Sequence, residues 1–90
     1  MKTLKNREDV YNDIRRQLDA GSISHGETIR QLRTRVTGLT QADFARMCKI
    51  SLRTLRQLEQ DSGNPTLDTL NSVLRLFGMQ MGVVPLRRKQ

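Results

Sequence analysis

The chain has 90 residues, enough for one small domain, and its 36% hydrophobic content supports a modest core without cross-links if the elements are helical. Sixteen Lys and Arg against nine Asp and Glu give a net charge of +7, which favours an anionic partner through field and counterion release but does not choose nucleic acid over membrane. One cysteine and one histidine exclude an internal disulfide and a zinc site of His and Cys within the chain. Mean hydropathy is −0.60, no apolar run approaches the roughly 20 residues of a membrane span, and residues 1–7 lack an apolar signal core. The expectation is a cytosolic protein with no membrane association and no cofactor.

Taken in chain order, Val10, Tyr11, Ile14 and Leu18 fall on one face of a helix over 6–19, stopped by Ala20-Gly21. Ser24-His25-Gly26-Glu27 has capping-box spacing, and Ile29, Leu32 and Val36 then mark a helix over 25–37 ended by Gly38. Thr40 caps a short third helix that buries Phe44, Ala45 and Cys48; Ser51 caps a short fourth that buries Leu55 and Leu58. Residues 61–65 (Asp-Ser-Gly-Asn-Pro) form a loop, after which Thr66 caps a fifth helix carrying Leu67, Leu70, Val73, Leu74 and Phe77, stopped by Gly78. Beyond Gly78, Met79, Met81 and Val83 alternate with Gln80, Gly82 and Val84, a period-two pattern that predicts a short strand. A lone strand leaves its backbone groups unpaired, so the pattern also predicts pairing across a homodimer, with Met79, Met81 and Val83 at the interface. The fold class is all-α with five helices and this C-terminal strand. It divides into an amphipathic extension at 1–22, a central domain at 23–78, and a dimerisation strand with basic tail at 79–90.

The third and fourth helices carry the chemistry. A small residue, Ala45, stands where they cross; Ile50 plugs the turn; Leu55 and Leu58 anchor the fourth helix inward. The helical period then turns Leu52, Arg53, Arg56 and Gln57 outward, with Thr54 at the margin. Those five are the candidates for reading DNA bases: arginine forks to guanine O6 and N7, glutamine pairs with adenine N6 and N7, and leucine meets a thymine methyl. Arg53 and Gln57 are first choices. Thr40, Gln41, Arg46, Lys49 and Ser51 are the phosphate candidates, placed at two helix starts and the turn between them. Arg30, Arg33 and Arg35 are near enough in sequence to add to the field, and Glu59 is expected to pair with Arg56 or Arg46. Taken alone, Arg53, Arg56 and Gln57 read more readily as a solvated face; the ordered pattern around them reverses that.

With "LTQADFA", "IS", "TLRQLE", "NPTLDTL" and "FG" in order over residues 28–78, the chain resembles the lambda-repressor-like, or Xre, family of helix-turn-helix proteins. The resemblance implies a double-stranded operator as partner and the fourth helix as the recognition helix. Members of that family place Gly in the turn where this chain has Lys49, a backbone position that is often left-handed, at a cost of about 1 kcal/mol. The ending "GMQMGVVPLRRK" resembles HipB-type antitoxins, which implies a dimeric autorepressor partnered by a HipA-like kinase toxin. A stand-alone phage-type or Xre regulator is the alternative within the family. A module that binds an acidic protein through the same basic face is the alternative outside it. Neither a nucleophile–base pair nor a metal cluster can be built from one histidine and one cysteine, which points away from an enzyme.

Overall fold

Four hydroxyl side chains start helices where the sequence places them. In the computed structural model, which describes residues 7–83, Ser24, Thr40, Ser51 and Thr66 are extended residues whose Oγ atoms accept from the backbone N–H three positions on, at 3.0–3.1 Å. Each such cap contributes about 1 kcal/mol by satisfying an otherwise orphaned donor. The helices are α1 (Arg7–Asp19), α2 (His25–Gln31), α3 (Gln41–Cys48), α4 (Leu52–Glu59) and α5 (Leu67–Leu74). The capping box at Ser24 closes only one way: the Glu27 carboxylate turns to Arg30 and Gln31 rather than back to the cap.

Two helices change pitch at their ends. Beyond Gln31 the coil widens to π spacing over Leu32–Thr37, with the Gly38 N–H reaching the Arg33 carbonyl five residues back. The Thr34 and Thr37 hydroxyls occupy carbonyls of the preceding turn, a competition that loosens helices. After Leu74, α5 tightens into a 3₁₀ turn, Arg75–Phe77.

Four helix ends share one geometry, in which residue C′ is left-handed and two N–H groups reach back to close the last turn. The C′ residues are Gly21, Lys49, Asp61 and Gly78, with φ of 70°, 62°, 55° and 75°. Glycine adopts this conformation freely; Lys49 and Asp61 do not. Both exceptions flank α4.

The core is assembled from every helix. Ile14, Ile29, Leu32, Phe44, Leu55 and Val73 are fully buried and Leu58 nearly so, while Phe44 stacks on Phe77 with ring centroids 6.0 Å apart. Cys48 packs in this core, where burial pushes its thiol up to about 11. α1 contributes Val10 and Ile14. It is further fastened by a reciprocal amide pair, Gln17 to Gln31 at 3.0 and 3.1 Å, and by Arg35 to Asp13 at 2.7 Å. Leu67 departs from the expected core: it sits in the first turn of α5 and is 63% exposed.

The expected strand is not seen within the single chain. Among the described residues no strand forms, and residues 79–83 run irregularly along the domain's own surface. Met79 and Met81 pack half-buried against the core of their own chain, and the Met81 N–H donates to Asn71 Oδ1 at 2.8 Å. One intramolecular side-chain acceptor and core packing thus take up the segment that the alternation assigned to a ladder. Val83 is fully exposed; Val84 and the basic tail lie outside the described residues. Among the described residues no helix is long and apolar enough to cross a membrane.

Candidate nucleic-acid interface

α3 and α4 are held as a pair by the residues the sequence selects. Ala45, Leu55 and Leu58 are buried and Ile50 is half-buried. The turn is closed by Lys49 N–H to the Arg46 carbonyl at 3.1 Å and Ile50 N–H to the Ala45 carbonyl at 3.0 Å. Lys49 is therefore left-handed as expected, and its side chain stands exposed at the rim between the two helix ends.

A second fixture holds α4 from its far end. The Asp61 carboxylate, one residue beyond the cap of α4, accepts the Ser24 hydroxyl at 2.5 Å and the Gly26 N–H at 2.9 Å, with His25 Nε2 at 3.3 Å. These bonds, the Ser24 hydroxyl foremost, hold its carboxyl below the usual aspartate range against the opposing effect of desolvation. Gly26 is buried here, and a Cβ on it would collide with the Leu58 carbonyl and with Asp61. The sequence places Asp61 only in a loop and His25 only in the capping-box run. A carboxylate joining residues 35 and 37 positions away leaves no local pattern.

Glu59 pairs with neither Arg56 nor Arg46. It is buried beneath α4, its side chain 4% exposed, and receives Arg33 through two nitrogens at 2.6 and 3.0 Å. Arg33 also donates to the Leu39 carbonyl at 3.1 Å, so its donors face inward. Arg30 is bound to Glu27 and Arg35 to Asp13. Of these three arginines only Arg33 is neutralised inside the domain; Arg30 and Arg35 are held in pairs at the surface. Arg46 meets Asp43 at 2.8 Å in an exposed pair, a contact weak enough to exchange for a phosphate.

What remains outward is narrower than the sequence suggested. Arg53 and Lys49 are exposed and make no ion pair among the described residues. Arg56 is exposed, its Nε 3.5 Å from Gln41 Oε1, while Gln41 Nε2 donates to Glu59 at 3.1 Å. The Gln41 amide therefore bridges the buried carboxylate and the surface guanidinium. Thr54 is half-buried and takes its hydroxyl bond from Ser51 at 2.8 Å. Gln57 lies against Gly63, close enough that a Cβ there would sit 3.1 Å from Oε1. Leu52 is half-buried and Thr40 exposed, its hydroxyl spent on its own cap. Among the described residues no cluster of His, Cys, Asp and Glu could hold a metal.

A capped second helix, its inward face locked and its outward face carrying uncommitted arginine beside a left-handed cationic turn, is the architecture that the family comparison matches: the helix-turn-helix model HTH_3 covers residues 29–83. The chain belongs to the helix-turn-helix family. No curated protein and no solved structure gives a significant match. The helix-turn-helix match supports a DNA-binding regulator. It spans α3 and α4 whole and leaves α1 outside, although α1 shares the same core.

Proposed function

We propose that this helix-turn-helix chain is a sequence-specific regulator of transcription that enters the major groove with α4. The observation that carries the reading is Arg53: exposed, without a carboxylate partner among the described residues, and in the first turn of a helix whose start is fixed by Ser51 and whose end is held by Asp61. N-terminal residues of a recognition helix are those that reach base edges. In this reading Arg53 and Arg56 read bases with Leu52. Thr54 and Gln57, engaged with Ser51 and Gly63, act by shaping the helix face. Lys49, Arg46, Gln41, Thr40 and Ser51 receive the backbone. Binding, not turnover, is the proposed activity.

The finer proposal is a dimeric repressor of its own operon, partnered by a HipA-like kinase toxin. Its support is the resemblance of the ending to HipB-type antitoxins, with Val83 as an exposed apolar contact and Met79 and Met81 backing it from the core.

The test is affinity for DNA upstream of the gene against scrambled DNA across salt concentrations, with the oligomeric state followed in parallel. Equal affinities at every salt would end the claim of sequence readout. Arg53→Ala should relax preference at one base pair by about 1–3 kcal/mol, the worth of a bidentate contact. Gln41→Ala should weaken all sequences alike.

A further inference from the structure

The face made by α1 and the chain beyond α5 has no part in the DNA-reading proposal, yet it is deeply hollowed. A groove of about 650 Å³ runs between α1 and residues 77–79, floored by Tyr11, Leu18, Phe77 and Met79. A second hollow of about 250 Å³ shares Arg7, Tyr11 and Phe77 with it and continues the apolar floor to Met47 and Leu76. Leu18, Met47 and Leu76 are 40%, 43% and 55% exposed, so the three form an apolar border to the hollows instead of core. Isolated exposed leucines need no explanation, but a continuous apolar trough edged by charge marks an interaction site.

The edge is cationic. Arg7 and Arg15 line the groove and have no carboxylate partner among the described residues, whereas Arg16, one position on, is bound to Asp13. Glu8 is the one carboxylate among the lining residues. Occupants of like charge are disfavoured at this rim: a second copy docked groove to groove would set its own Arg7 and Arg15 here, and the flanking segments carry Lys2 and Lys5 before α1 and Arg87, Arg88 and Lys89 after it. We infer that this groove docks an acidic amphipathic helix from another protein, its leucine-type side chains in the trough and its carboxylates on Arg7 and Arg15. The helix-turn-helix match begins at residue 29 and leaves the α1 wall of this groove outside it. The inference stands whether or not the chain reads DNA.

The probe is a synthetic helical peptide with leucines at i, i+3, i+4 and i+7 and glutamates on both flanks, titrated into ¹⁵N-labelled full-length chain. Its control carries lysines in place of the glutamates. The glutamate peptide should shift amides of Tyr11, Leu18, Gly78 and Met79, and bind about tenfold more tightly than the control, the effect of two rim ion pairs. Arg15→Glu should remove that preference and Leu18→Asp the binding, with melting temperature and DNA affinity unchanged by either. The inference is overturned by shifts confined to α3 and α4, by equal affinity for the two peptides, or by no binding. It is overturned equally by a homodimer that Leu18→Asp dissociates, since the groove's occupant is then a second copy.

Discussion

Replacing Lys49 by glycine separates a structural cost from a binding gain at a single residue. Lys49 is held at φ 62° and ψ 40°, where a Cβ crowds the following carbonyl at a cost of about 1–2 kcal/mol. Glycine relieves that cost but returns about 0.5–1 kcal/mol through the greater freedom of its unfolded chain. The net is a stabilisation of about 0.5–1 kcal/mol, or a melting temperature raised by about 2–8 °C for a domain this small. The same change removes the exposed ammonium at the turn. If Lys49 neutralises one phosphate, the slope of log affinity against log salt becomes shallower by about 0.9. Lys49→Ala is the control, because alanine keeps the Cβ and loses the charge: it should flatten the slope equally and leave the melting temperature near its starting value. Thermal melts and fluorescence anisotropy on all three proteins decide the matter. A glycine variant no more stable than the alanine variant refutes the strain; an unchanged salt slope in both refutes the phosphate contact.

Other outcomes follow from the fixtures around α4. Arg33→Met leaves the buried Glu59 carboxylate without its partner and should cost about 3–5 kcal/mol in urea unfolding, whereas Arg33→Met with Glu59→Leu should recover most of it; failure of the double variant to recover places the role elsewhere than in charge pairing. Gly26→Ala puts a methyl into the Leu58 carbonyl and Asp61 and should cost about 1–3 kcal/mol as overpacking, which a melting curve would contradict if it did not move. Asp61, Asp13 and Glu27 are all held below their ordinary values, by Ser24, Arg35 and Arg30 respectively. A depressed carboxyl stabilises the fold fully above its unfolded value of about 4 and loses that contribution as pH falls through the folded one. Urea midpoints measured downward from pH ~5 should therefore decline, and Asp61→Asn should flatten the decline.

Local signals in the sequence locate the helix starts closely. Ser24, Thr40, Ser51 and Thr66 cap as their type and spacing dictate, and Leu55 and Leu58 turn inward because a two-turn helix with two leucines three apart has one apolar face. The long-range pairs were out of reach. Arg33 with Glu59, Asp61 with Ser24 and Gly26, and Gln17 with Gln31 join residues 14 to 37 positions apart, and no periodicity encodes which carboxylate an arginine will choose. The inward commitment of Arg33 to Glu59, the bond from Gln41 to the same carboxylate and the seat of Gln57 against Gly63 are likewise features of the folded chain and not of a local pattern. The period-two stretch after Gly78 is ambiguous for a different reason. Alternation reports that one side of an extended segment is covered, and here the cover for Met79 and Met81 is the domain itself.

The Asp61 fixture makes α4 a lever. Arg53 stands eight residues from the point where the carboxylate grips α2, about 12 Å along a helix axis. A rotation of about 5° at the grip displaces the arginine by about 1 Å, enough to spoil a forked hydrogen bond to a base edge. Changes at Ser24, His25 or Gly26, none of them placed on DNA, can therefore retune which sequence is preferred. A regulator built this way can drift to a new operator through substitutions on the helix behind the one that reads.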